Sequence, residues 1–325
     1  MILTLDQIRR ITFGALNITV SDDGYFVFHR MSKNLYDAYS SNSDFTLKCY
    51  ATAGVKLDFY TDSPYFSFSY RVKKGSSRKF YYFDIYIDGV MTGHLGERDM
   101  WIKKGEIKTE LPAGRHRVTI HLPCLAVAEL CDISVADGAE ITPVERKLKM
   151  LCVGDSITQG YDAEYPSLCY ASAVADELDA DMVNQAIGAD RFHPEHLDAD
   201  MNFVPDIVTV AYGTNDWSGS HREDFERDMP AYFSKLAQMC PNAKIFAITP
   251  LWRADNSRIT KVGSFDEARA MISDEAGKYP NMTVVDGIKL TPHVPAFYSD
   301  LYLHPNDIGF SIYAKNLVGE IKKYL

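Results

Sequence analysis

The sequence predicts two unlike halves. An antiparallel β-sandwich of jelly-roll type covers residues 1–145, and a three-layer α/β domain covers residues 146–325. Two observations carry this. In the first half, short aromatic or β-branched runs are split by Gly, Pro and Asp turns, with hardly any helical periodicity. In the second half, apolar strand-like runs alternate with residues at helical spacing. A chain of 325 residues is long enough for two such domains.

In the first half, strands are expected at Phe45–Tyr50, Val55–Tyr60 and Tyr65–Val72. Tyr81–Ile87 runs into Asp88-Gly89 and resumes at Val90, a hairpin signal. Pro112-Ala113-Gly114 forms another turn before Arg117–Leu122. The stretch Leu122–Cys131 has few charges and reads either as a core strand or as a surface meant to be covered. Residues 139–147 carry one proline and several charges and read as a short linker.

Beyond the linker, Leu148–Val153 is a buried-strand pattern that ends in Gly154-Asp155-Ser156. Leu168, Ala171, Ala175 and Leu178 recur at helical spacing after Pro166. Further strands are expected around Met182–Val183 and at Asp206–Tyr212, Lys244–Thr249 and Thr283–Asp286. Helices are expected around Phe225–Leu236, Ala268–Ala276 and Phe310–Ile321. Parallel strands joined by crossover helices converge at their carboxyl ends, where open α/β sheets bind ligands.

The residues after those strand ends form a chemical set. Ser156 stands where strand passes to helix, a place for a nucleophile and equally for a helix cap. Gly188 lets a backbone N–H approach a ligand closely. Asn215 offers a side-chain amide suited to an oxyanion. His304 precedes the last helix and can act as a base, with Asp300 to orient it. Each residue alone has an ordinary structural explanation; all of them following separate strands of one sheet points to a site.

Gly154-Asp155-Ser156, Gly188, Gly213-Thr214-Asn215-Asp216 and His304-Pro305-Asn306 resemble, in order, the four motif blocks of the SGNH (GDSL-type) hydrolases. The resemblance spans residues 148–325. It implies a flavodoxin-like sheet and a serine esterase with no metal or organic cofactor. It also implies a Ser156 nucleophile, a His304 base, and an oxyanion hole built from the Ser156 and Gly188 N–H groups and the Asn215 side chain. The chain lacks GxSxG at this point, so the α/β-hydrolase elbow does not apply. A sandwich preceding such a domain is similar to the two-domain esterases that deacetylate sugars. One departure stands out. The family's aspartate lies three residues before the histidine, where this chain has Leu301; Asp300 lies four before. Either the loop bulges so that Asp300 reaches the ring, or a backbone carbonyl orients His304.

Trp217, Trp252 and Arg253 follow strand ends and are expected to wall a substrate pocket. His193 and His196 lack the i, i+4 spacing of helical zinc pairs and have no evident third ligand, so no metal is expected. Cys152 lies within the buried strand and is expected to be inert. The net charge of -10, without a basic aromatic cluster, argues against nucleic acid. No apolar run approaches a membrane span, and the start shows no signal-peptide pattern. Scattered cysteines without CxxC spacing suggest free thiols in a reducing cytoplasm. The expected substrate is a small-molecule or oligosaccharide ester, and O-deacetylation of a carbohydrate is the leading reading. An acyltransferase on the same site, or a glycan-binding protein with a degenerate hydrolase domain, are the alternatives. The oligomeric state is not legible.

Overall fold

The computed structural model describes residues 1–325. Residues 148–285 contain a five-stranded parallel sheet. Its order across the sheet is Ala180–Asn184, Leu148–Gly154, Ile207–Ala211, Lys244–Ile248 and Met282–Val285. The strand order reverses beside Leu148–Gly154, so the crevice for a ligand opens at the carboxyl end of that strand.

Alternation along the strands divides the core between the two faces of the sheet. Met150, Cys152, Phe246 and Ile248 belong to one apolar cluster, with Tyr170, Val174, Phe310 and Leu317 from the helices Tyr170–Glu177 and Asp307–Ile321. Leu151, Val153, Val208, Val210 and Ile245 belong to the other, with Phe225, Phe233, Ala268 and Ile272 from Arg222–Met239 and Phe265–Ala276. The helix expected from Pro166 begins only at Tyr170, because residues 166–169 form a turn at the boundary with the first half.

The first half is built on two antiparallel sheets. One runs Thr12–Phe13, Lys56–Thr61, His116–His121, Tyr81–Ile87, Val90–Glu97, with Thr142–Pro143 also paired to Lys56–Thr61. The other runs Asn17–Val20, Phe26–His29, Ala126–Val135, Tyr65–Lys74, Lys104–Glu110. Their apolar faces share one core that includes Leu57, Phe59, Phe83 and Ile120 from the first and Phe66, Phe68, Ala128 and Leu130 from the second. This two-sheet, antiparallel, β-rich arrangement is the part of the jelly-roll expectation that the structure carries.

Phe45–Tyr50 is not a strand. Ser43–Cys49 is a helix, because the Asn42 side chain accepts the N–H groups of Asp44 and Phe45 and caps it. Short helices also form at Leu5–Ile11 and Lys33–Tyr39, capped by Thr4 and Ser32. Helices of one or two turns leave too few apolar repeats for periodicity to register. Leu122–Cys131 serves both of its readings. Ala126–Val135 is an inner strand, whereas Cys124 and Leu125 pack in the α/β core with Ile157 and Tyr161.

Buried charges tie the halves together. Arg30 is fully buried and donates to the carbonyls of Ala51 and Lys48 in its own half, and of Asn184 and Ala186 across the boundary. Lys56 pairs with Asp176, and Arg146 links Asp58 to Asp179. Asp84 accepts both the N–H and the hydroxyl of Ser167. No helix is long and apolar enough to cross a membrane.

Candidate active site

Ser156 is the first residue of a short helix, Ser156–Gln159, that follows Leu148–Gly154 directly. Asp155 caps it by accepting the Ile157 N–H at 3.0 Å, so Asp155 is the cap and Ser156 is left free for chemistry. Gly160, in the left-handed region at φ 99°, ends the helix after one turn. Burial pushes the Asp155 carboxyl up to about 7. Asp216, which accepts the Phe192 N–H, is likewise pushed up to about 7 by burial.

The Ser156 Oγ lies 2.9 Å from His304 Nε2. On the far side of the ring, His304 Nδ1 lies 2.8 Å from Asp300 Oδ2. Leu301 explains how an aspartate four residues away reaches the imidazole. It adopts φ 57°, a left-handed conformation costly for leucine, and its side chain is turned to solvent. The resulting loop wraps around the carboxylate. Asp300 Oδ1 accepts the N–H groups of Tyr302, Leu303 and His304 at 2.9, 2.7 and 3.1 Å. Burial alone would raise this carboxyl; the hydrogen bonds from His304, Leu303 and Tyr302 outweigh it and hold it far below the usual carboxylate range.

A second carboxylate faces the same ring nitrogen. Asp162 Oδ2 lies 3.7 Å from His304 Nδ1, and Arg78 from the first half clamps Asp162 at 2.5 and 3.0 Å. The Arg78 guanidinium also stands 5.1 Å from the ring centre of Tyr161, whose ring lies over His304 at 5.9 Å between centres.

Asn215 stands in the first turn of the helix Thr214–Gly219, which follows Ile207–Ala211, and donates through Nδ2 to the Asp190 carbonyl at 3.1 Å. One Nδ2 hydrogen is thereby engaged and the second is left over. Gly188 departs from expectation. Its N–H donates to Gln159 Oε1 at 2.7 Å, so it is spent inside the protein. Its lack of a side chain serves packing, since a Cβ there would stand 2.6 Å from the Tyr161 ring.

The expected pocket walls are also corrected in part. Trp217 is fully buried, donates to the Gly263 carbonyl at 3.1 Å and packs edge-on against Phe265. Arg253 is buried beneath the turn, bonded to Thr214, Asp255 and Tyr302. Both residues brace the Asn215 turn and do not line a cleft. Trp252 is half-buried, parallel to His293 and tilted against Tyr298. The Cys152 thiol is buried and pushed up to about 12, consistent with an inert residue.

Asp190 is a hub that sequence reading did not single out. Its carboxylate receives His193 Nδ1 at 3.0 Å, His196 Nδ1 at 2.9 Å and the Tyr39 hydroxyl at 2.8 Å. Burial would raise it, but the two histidines prevail and bring it down to about 2. These three side chains have metal-like proximity, with Asp190 as the third member that spacing did not reveal. Both Nδ1 atoms are turned onto the carboxylate, which makes the cluster a hydrogen-bonded brace for the loop. Arg30, Lys48 and Arg78 were also missed, because the groups they meet across the boundary lie 84 to 156 residues away in sequence.

Residues 152–312 match the family model described as GDSL-like lipase/acylhydrolase. These residues form a domain of this family. The chain is an SGNH-type esterase with carbohydrate-esterase-like architecture. Solved structures with this fold include the salicylyl-acyltransferase SsfX3 from a tetracycline biosynthetic pathway, at 21% identity and TM-score 0.78, covering 96% of this chain and 94% of that one. A family two carbohydrate esterase from Cellvibrio japonicus aligns at 16% identity and TM-score 0.65, covering 98% and 96%. The family two carbohydrate esterase from Clostridium thermocellum, solved with cellohexaose, aligns at 16% identity and TM-score 0.65, covering 84% and 93%. A search of curated proteins gives no match.

Proposed function

We propose that the esterase removes O-acetyl groups from a carbohydrate or glycoconjugate through a Ser156–His304–Asp300 triad. The observation that carries the reading is the continuous relay from the Ser156 hydroxyl through both nitrogens of His304 to Asp300, at 2.9 and 2.8 Å. His304 Nε2 accepts the Ser156 proton as Oγ attacks the ester carbonyl. Asp300 holds the tautomer that leaves Nε2 free and steadies the imidazolium that forms. The Ser156 N–H, at the first position of its helix, has no intrahelical acceptor and can serve the oxyanion together with the spare Asn215 hydrogen. His304 then returns the proton to the leaving alkoxide, and water releases the acyl group by the same steps in reverse. No step requires a metal or organic cofactor.

A sugar acetate is supported by the carbohydrate esterases that share this two-part fold, one of them solved with an oligosaccharide. Arg78 and Tyr161, at the edge of the relay, are candidate contacts for a polar alcohol portion, and Trp252 is a candidate wall. The fold shared with an acyltransferase keeps acyl transfer to a second alcohol as the other reading. The test is product analysis on acetylated sugars and activated acyl esters of increasing chain length, with and without added sugar or alcohol acceptors. Free acetate as the only acyl product, with preference for acetylated sugars, supports the proposal. Acylated acceptor as the main product replaces it with transfer.

A further inference from the structure

The loop after Ala180–Asn184 continues the parallel ladder beyond the strand itself. The Gln185 N–H donates to the Cys152 carbonyl at 2.8 Å, and the Ile187 N–H donates to the Gly154 carbonyl at 3.0 Å. Both chains advance by two residues per rung, as a parallel pair does. The next rung would join Ala189 to Ser156, but there the nucleophile's chain has turned away into its helix, and the Ser156 carbonyl accepts the Gly160 and Tyr161 N–H groups instead. The Ala189 N–H donates to no group of the chain.

The other side of the same loop is held by the first half. In a trans peptide, the carbonyl and the following N–H point in opposite directions. Arg30 takes the Asn184 and Ala186 carbonyls at 2.6 and 3.0 Å, and Lys48 Nζ takes the Gly188 carbonyl at 2.7 Å. These are the carbonyl partners of the Gln185, Ile187 and Ala189 N–H groups. With the Gly188 carbonyl drawn to Lys48, the Ala189 N–H is aimed the other way, toward the nucleophile. Ala189 itself is exposed and sits at φ 73°, a conformation costly for alanine that turns the chain aside immediately after this N–H. Its neighbour Asp190 accepts the Asn215 amide, which brings the second proposed donor to the same place.

We propose that the Ala189 N–H, not that of Gly188, is the loop's donor to the oxyanion, and that Lys48 of the β-rich half is the positioning residue that aims it. Lys48 is 4% exposed, and its ammonium is held by two partners, the Gly188 carbonyl and the Asp44 carboxylate. The oxyanion hole is therefore completed across the boundary between the halves. This assignment rests on the serine-esterase reading above.

The experiment replaces single backbone amides by esters in the full-length chain, by incorporating lactic acid at position 189 or glycolic acid at position 188. Loss of the N–H at 189 is expected to lower kcat on an activated acetate ester about 100- to 1,000-fold with little change in KM, as removal of one oxyanion donor does. Loss at 188 is expected to cost less than tenfold. The reverse order overturns the proposal. Lys48→Met is expected to lower kcat at least tenfold at near-constant KM, and Lys48→Arg, which can still donate to the Gly188 carbonyl, to recover most of it. A folded Lys48→Met chain with wild-type kcat overturns the positioning role. Wild-type turnover that disappears in Ser156→Ala checks the esterase reading separately; turnover indifferent to Ser156 overturns both.

Discussion

Removing the Asp300 carboxylate should lower kcat by a factor of about 30 to 1,000, and the structure sets both ends of that range. The carboxylate and the imidazolium that forms on His304 meet at 2.8 Å, with charge centres about 4 Å apart. At an effective dielectric of about 20, this attraction is worth about 4 kcal/mol. The Asp300 side chain is 32% exposed, and solvent screening reduces the value to roughly 2 kcal/mol at the lower end. Converted to rates, about 2 to 4 kcal/mol is the stated factor. The loss is smaller than in a triad with one carboxylate, because Asp162 Oδ2 lies 3.7 Å from the same nitrogen. Arg78 holds Asp162 away from full engagement, so it replaces Asp300 only in part. Asp300→Ala is measured by initial rates on an activated acetate ester at saturation, with circular dichroism to confirm folding. KM should be nearly unchanged. Asp162→Asn alone should cost less than tenfold, and the double variant should fall at least tenfold below Asp300→Ala. A folded double variant within tenfold of wild type would refute the reasoning and leave Ser156 and His304 as a dyad.

Ser156→Ala and His304→Ala should each lower kcat by about 10,000-fold or more, because members of such a unit fail together; steady-state hydrolysis of the same ester measures this. Asn215→Ala should lower kcat about 100- to 1,000-fold, and an effect confined to KM would make Asn215 a substrate contact instead. Arg30→Met removes a charged donor from four buried carbonyls and should destabilise by about 3 kcal/mol or more, seen as a lower midpoint in urea unfolding. Asp190→Asn should lose stability in a pH-dependent way. Asp190 is depressed to about 2, so its stabilisation is present above its ordinary 3.8 and fades as pH falls toward 2. His193 is raised from 6.5 by Asp190, so its share is present below that value and is lost as pH rises through its folded titration. The difference in unfolding free energy between wild type and Asp190→Asn should therefore peak between about pH 4 and 6.5, and a difference flat from pH 2.5 to 8 contradicts the brace.

The sequence by itself determined which segments alternate and with what period. Leu148–Gly154 and its parallel neighbours are continuous apolar runs because both sheet faces are covered, and such runs announce themselves. The strand-to-helix junction at Ser156 and the residues after other strand ends followed from that pattern, and motif spacing joined them into one chemistry. Short capped helices such as Ser43–Cys49 escaped because one or two turns carry no usable period. Tertiary structure alone decided the directions of individual groups. Trp217 and Arg253 occupy the predicted loops but turn inward, a choice set by packing against Phe265 and Thr214. Asp300 reaches His304 only because Leu301 takes a left-handed turn. Which N–H of residues 188 and 189 is free depends on Gln159 and on Lys48, 140 residues from the carbonyl it holds. The physical reason is range. Periodicity and caps are written within a few residues, whereas the orientation of a peptide plane at the site is set by charges that only the folded chain brings together.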